Sequence, residues 1–540
     1  MDGRRALFGV SFLSDTLPLW VWNCANERNR LVVRRLATVV VVVVLLGAGQ
    51  AEGLRARAPE LRFSRKHSEA RLGAAYRAAV RNLMVVNTVP IKESADAGSY
   101  DQAGLITTPP GTFIRAGGGY DQPWTRDASV NSWNAGNLLE PVVARNTLWA
   151  VVKREKNGRL IVQQDKEWWD QIIWVTAAWK HYEVTGNAAF LGRAYQTAVD
   201  TLQADREKHF NDHYGLFEGP AFLNDGIAGY PAPPADAKES RGSFVLDYKG
   251  ADKMMVLSTN CLYVSAYRSA AKMAQALGRP AKEVAALDGQ ADGLAARIRE
   301  RFWIANQGRF GYLIHGVGPL QGKLEDYQES SGQAFAILFG VATPEQAHSI
   351  LSHVKLLPHG IPDVYPSFAR YSLDRPGRHN AIVWPMVEGY WGDAAARAGD
   401  TAAFAHAMSG LAELSDDSGG HFYEIYNGVS GRPDGGWQTG HHWQSQPDQT
   451  WSATAYLRMV YFDLFGMRFH PDGIEFAPTL PRGWGDVSLV GVHYRGAVLT
   501  IRLKGAGDTV KSFRLDGRKI SKPVIPGTLK GPHVVEIVLR

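Results

Sequence analysis

The feature that most constrains this chain is a series of amphipathic stretches that come in pairs. Apolar residues recur at helical spacing over 67–85, 127–138, 140–153, 165–184, 188–205, 251–276, 281–303, 328–340, 344–356, 380–398, 401–414 and 448–465, with Gly- and Pro-rich breaks between them. Short links inside the pairs predict antiparallel hairpins. Several second members open with helix punctuation, at Pro141, Pro280 and Thr343-Pro344. First members begin instead with polar and aromatic sequence: WTRDAS, QQDKEWWDQ, LSTN, YQESSGQ, HNAIVWP and PDQTWSA. Six first members as an inner ring and six partners outside it accommodate this asymmetry, with 67–85 as the outer partner of 448–465. The expected fold is mainly α, an (α/α)6 toroid whose inner helices start around one pocket. A stacked solenoid would show a sequence repeat, and none is visible.

Beyond Gly466 the period becomes two. VSLVGVHYRGAVLTIRLKG, SFRLDGRKI and HVVEIVLR alternate as strands do, which predicts a small β-sandwich over 466–540. At the other end, Arg34 and Arg35 precede the apolar run Leu36–Ala48 and the small residues that follow it. Residues 1–51 therefore read as a signal peptide with an over-extended leader, a retained membrane anchor being the alternative. The expected division is leader 1–51, toroid 52–465 and sandwich 466–540, in a periplasmic or secreted protein with no stable membrane partner after cleavage. Removing the leader lowers the net charge from +6 to about +3, which gives nucleic acid no basis as a partner. Cys261 is then the lone thiol, so neither an intrachain disulfide nor a cysteine metal site can form.

Two long loops, 206–250 and 415–447, each lead into an inner helix and are rich in aromatic residues. Asp225 or Glu218 in the first and Glu424 in the second sit among apolar neighbours that raise a carboxyl's pKa, as a general acid near neutrality needs. Two such carboxylates are the minimum equipment for glycosidic hydrolysis, one protonating the leaving oxygen and one activating water. A turn at Asn224-Asp225-Gly226 is the competing reading for Asp225. His421, His441 and His442 read as hydroxyl-binding groups, because adjacent histidines rarely reach one metal. No cofactor is expected. Trp124, Arg126 and Asp127 could wall and clamp a terminal sugar. Gln164, Glu218, Trp384, Tyr426 and Trp443 complete the candidate binding set.

Residues 110–465 resemble the six-hairpin glycosidases, the inverting (α/α)6 enzymes that include trehalases, processing α-glucosidases, mannosylglycerate hydrolases, glucoamylases and debranching-type glucosidases. WTRD at 124–127 is similar to a glucoamylase segment whose Asp grips sugar hydroxyls, which implies that role for Asp127. HNAIVWPMVEGYW at 379–391 is similar to the HNG-x-x-WP stretch of debranching-type relatives. FYEIYNGVSG at 422–431 resembles the Glu-x-Tyr-Asp stretch that carries the general base, which implies Glu424 for it. Asp225 occupies the general-acid loop, although FEGPAFLNDG departs from the Glu-Ser-Gly-x-Asp pattern found there. The resemblance implies an exported, exo-acting, inverting hydrolase of α-glucosides or related α-glycosides, acting on an oligosaccharide or disaccharide. A glycoside phosphorylase, an α-L-rhamnosidase and a non-catalytic sugar-binding protein are the alternatives; a toroidal polysaccharide lyase would want a basic cleft, which the near-neutral charge disfavours.

Overall fold

Helix boundaries follow local chemistry. Asn187 accepts a hydrogen bond from the Phe190 N–H, and Asp400 one from the Ala403 N–H. Thr343 and Gln346 close a reciprocal capping box, and Pro141 and Pro385 occupy first helical positions, where a missing N–H goes unfelt. The computed structural model describes residues 58–91, 100–106, 111–163, 166–231 and 242–540, so the leader and Gln164 lie outside it. Among the described residues the helices are α1 (66–86), α2 (125–139), α3 (Pro141–Ala150), α4 (168–185), α5 (Ala188–His209), α6 (Leu257–Ala276), α7 (Ala281–Phe302), α8 (Ser330–Leu338), α9 (Pro344–His353), α10 (Pro385–Arg397), α11 (Thr401–Asp417) and α12 (450–464).

The ring closes. Each of α2, α4, α6, α8, α10 and α12 packs on the next, and α12 packs on α2. Outside them lie α3, α5, α7, α9 and α11, with α1 against α12 as the sixth outer member. Burial tells the two layers apart. In inner α10 every residue from Pro385 to Ala396 is buried, whereas outer α7 buries one stripe, Ala291, Leu294, Ala295, Ile298 and Phe302.

Two inner helices start later than their apolar spacing suggests. Residues 251–253 form a 3-10 turn, and Met255–Val256 then pairs with Leu313–Ile314, so α6 begins at Leu257. Proline disfavours helical geometry in the residue before it, so Trp384 is extended and α10 begins at Pro385; before it the chain turns at 377–380, and Val383 pairs with Tyr426. These lead-ins carry much of the site.

The tail strands are β2 (Met467–His470), β3 (Gly473–Phe476), β4 (Val487–Tyr494), β5 (Gly496–Lys504), β6 (Val510–Leu515), β7 (Arg518–Ile520), β8 (Val524–Pro526) and β9 (Lys530–Leu539). An additional strand, β1 (Glu60–Phe63), joins them from the region read above as toroid. The larger sheet has the order β1-β4-β5-β9-β6-β7, with β5 and β9 parallel, and β2-β3-β8 form the smaller one. Arg495 donates to the Glu183 carbonyl at 3.0 Å, and Arg468 lies 3.5 Å from Asp393. The sandwich thus packs where α4 and α10 end, at the mouth opposite the pocket.

Candidate active site

Where the inner helices begin, a cavity of about 540 Å³ is lined by Trp124, Thr125, Arg126, Asp127, Gln163, Glu167, Gln171 and Asp225, with Tyr100 and Gln102 at its edge. That volume is ordinary for a small-molecule site, roughly 300–1,000 Å³. Trp124, the residue before α2, sits at φ 31°, a strained backbone of the kind found at ligand clamps, and its ring lies 4.7 Å from that of Tyr120. Of the tryptophans in the described residues, Trp124 alone lines this cavity; Trp133, Trp169, Trp174 and Trp391 are core.

Among the described residues Arg126 is the one cation lining the cavity, and carboxylates claim it. It binds Asp170 and lies 3.4 Å from Asp225 and 3.6 Å from Glu167. The sequence reading had Arg126 clamping sugar hydroxyls together with Asp127; instead it organises acids. Asp127 is fully buried, neither carboxylate oxygen has a side-chain partner among the described residues, and burial pushes its pKa up to about 7. Asp170, likewise buried, is pushed up to about 6 despite Arg126.

The first long loop is ordered by a small core of its own, in which Ala221, Ile227, Tyr230, Val245 and Met254 gather round Trp169 and Tyr312. This core fixes Asp225, whose carboxylate opens into the cavity at 38% exposed, 3.4 Å from Arg126 and 3.5 Å from His379. Its side chain therefore serves the cavity rather than a local turn. Gly226 is required by close approach: a Cβ there would come 2.2 Å from Gln438 Oε1 and 2.8 Å from His379 Nε2. Burial alone would raise the Asp225 pKa, but His379 and Arg126 outweigh it and hold the group below the usual carboxylate range. The raised pKa expected from the sequence is absent at this residue.

Glu424 behaves in the opposite sense. It is 2% exposed, Arg378 donates to Oε1 at 2.8 Å, and Oε2 has no protein partner among the described residues. Burial raises its pKa against the pull of Arg378. Glu424 does not line the cavity, but its charge acts on Tyr120, Asp127 and Asp225 across a short span. The two carboxylates are flanked by successive residues: Arg378 donates to Glu424, and the His379 ring lies 3.5 Å from Asp225. Behind His379 stand Trp384, stacked on it at 4.9 Å, and Asp363, 3.9 Å from Nδ1.

Other candidates do not converge here. Glu218 accepts from Asn211 at 2.7 Å and pairs with Lys253 at 2.8 Å, a structural tie away from the lining. Trp384, 2% exposed, supports His379 and donates to the Arg378 carbonyl; Tyr426, 1% exposed, receives the Tyr423 N–H and pins its loop to Val383. Trp443 is 40% exposed with the Arg378 guanidinium 5.4 Å from its ring, a position at the rim. His421 pairs with Asp448 and His442 with Asp434. Sequence reasoning missed Arg378, His379 and Tyr120, although all three lie in or beside stretches it singled out.

A sequence model for the mannosylglycerate hydrolase MGH1-like glycoside hydrolase domain matches residues 131–452. The chain belongs to this family. It is a glycoside hydrolase. Residues 467–521, within the sandwich, match the C-terminal domain of glycosyl hydrolase family 65. No curated protein matches. Among solved structures, one described as a sialidase is 14% identical with a TM-score of 0.61, over 83% of this chain and 39% of that one. This family member thus spans about two fifths of the length of that structure, with which it shares a fold. A GH63 mannosylglycerate hydrolase from Thermus thermophilus in complex with Tris is 16% identical, over 64% of this chain and 96% of that one, with a TM-score of 0.46. A neutral trehalase from Saccharomyces cerevisiae is 13% identical, over 72% and 79%, also at 0.46.

Proposed function

We propose that this glycosidase is exported and exo-acting and cleaves a neutral α-linked glycoside with inversion, Asp225 protonating the departing oxygen and Glu424 activating water. The observation that carries the reading is the placing of both carboxylates against neighbouring residues, Arg378 at 2.8 Å from Glu424 and His379 at 3.5 Å from Asp225. Burial, opposed by Arg378, raises the Glu424 pKa and makes it the stronger base, and Oε2 is the oxygen left to take a proton from water. Asp225 gains proton affinity when a sugar displaces water from its open face. A neutral substrate suits a lining whose described residues include three carboxylates, Asp127, Glu167 and Asp225, and one committed arginine. Export rests on the pattern at 34–51.

The pKa directions favour a second reading, with the roles exchanged: Glu424 carrying the proton and Asp225 ionised. Aryl α-glycosides of graded leaving-group pKa distinguish the two. If Asp225 is the acid, Asp225→Asn keeps substantial activity on a nitrophenyl-type leaving group and loses it on an alkyl one, while Glu424→Gln is inactive on both. The reverse pattern establishes the exchange. Full activity of either variant on all substrates contradicts both readings.

A further inference from the structure

The mouth opposite the active site holds a second cavity, of about 260 Å³, between the later turns of the inner helices. Its charged lining is entirely cationic: Lys180, Arg268, Lys272, Arg397 and Arg458, with no carboxylate among the residues facing it. The acids of this region are used up behind the wall. Glu183 takes Lys180 at 2.6 Å, and Asp393 is shared by Arg397 at 2.6 Å, Arg458 and Arg468. Lys272 has no ion pair among the described residues.

A simpler origin for cations at this end is the helix dipole, since α4, α8 and α10 end here and each C-terminus carries roughly half a negative charge. Carboxylates already pair with four of the five cations, Lys180 with Glu183, Arg268 with Asp292, and Arg397 and Arg458 with Asp393. That leaves Lys272 for the dipole to explain, and the dipole does not account for two further groups. Trp179 and Arg458 also line the cavity, 3% and 1% exposed, and the indole N–H and the guanidinium Nε–H are both buried without a partner among the described residues. Buried donors are nearly always satisfied, and an unsatisfied one costs about 1–3 kcal/mol. Donors without acceptors, in a cationic cavity, call for a ligand made of acceptors.

We propose that this cavity is an oxyanion site, separate from the glycosidic site, which takes a phosphate or sulfate group with Lys272, the Trp179 indole N–H and the Arg458 Nε–H as donors. Several oxygens on one small anion meet several donors at once, and no bond is made or broken.

The test is thermal unfolding of the full chain in increasing inorganic phosphate, and separately inorganic sulfate, with ionic strength held constant by chloride. A saturable rise in Tm is expected, as for any ligand bound by the native state alone. Lys272→Met and Trp179→Phe should each weaken the apparent affinity by about tenfold, the factor a lost charge-assisted hydrogen bond gives, with glycosidase activity unchanged. Lys272 is an exposed side chain, so its variant tests binding without risk to the fold. Saturation by phosphate but not sulfate, or the converse, identifies the anion preferred. The proposal is overturned if Tm does not respond to either anion beyond chloride, or if both variants respond as strongly as the unsubstituted protein.

Discussion

The two mouths of the ring are built from the same six helices and carry opposite chemistry. At the end where the helices start, the charged groups are mostly acids, Asp127, Glu167, Asp170, Asp225, Glu329 and Glu424. Where the helices finish, cations predominate, Lys180, Arg268, Lys272, Arg397 and Arg458. The macrodipole explains the sign of both collections, because helix N-termini favour anions and C-termini cations. It does not explain the details. A dipole asks only that charges be near; among the described residues the first mouth also holds Asp127 without a side-chain partner and Asp225 and Glu424 beside successive residues, and the far mouth leaves two buried N–H groups without one. Function resides in what exceeds the dipole.

The largest expected effect lies at the first mouth. Glu424→Gln and Asp225→Asn should each lower kcat/KM on an unactivated glycoside by roughly 10²–10⁴-fold, the usual worth of one positioned proton transfer. Near-normal Tm in both variants would place the loss in chemistry rather than folding. Asp393→Ala should do the reverse: it leaves Arg458 buried without its carboxylate, at a cost of about 3–5 kcal/mol in denaturant unfolding, while kcat in native conditions stays near that of the parent. If Asp393→Ala instead abolished turnover in a fully folded protein, the two mouths would be coupled and the comparison would break.

A pH effect sharpens the contrast further. Burial raises Glu329 from 4.5 to about 8 and Asp127 from 3.8 to about 7. The native state then keeps protons that the unfolded chain has released, so it binds more protons between the unfolded and folded pKa values. Stability should therefore fall as pH rises from about 4.5 to about 8. Glu329→Gln should flatten that slope and gain on the order of a few kcal/mol at pH 8, read from Tm against pH. A steeper slope in the variant would contradict the assignment. The smallest effect is expected at the rim, where Trp443→Ala should raise KM a few-fold with kcat kept, in line with an exposed cation–π contact of about 0.5–1 kcal/mol.

Much of the ring was legible because helix period, caps and the contrast between inner and outer starts are local signals. Thr343-Pro344-Glu345-Gln346 states a helix start by itself, and the alternation after Gly466 states strands. What was not legible depends on distant partners. Glu60–Phe63 is four residues long and becomes a strand only beside Val487–Val490. Glu218 and Asp225 looked alike as loop acids, and only the fold shows that Lys253 occupies one while Arg126 and His379 flank the other. Arg378 lies 46 residues from Glu424, and nothing in either neighbourhood announces the pair.

The most direct test of the account follows anomeric protons by NMR from the first minutes of hydrolysis, with the full chain and its Glu424→Gln variant on a panel of α-linked disaccharides. The account expects a β-configured sugar to appear first, before mutarotation, and to be absent with the variant. An inverting pair leaves room for water between its carboxyl groups, which gives this outcome. First release of the α-anomer, or undiminished release by Glu424→Gln, would contradict it.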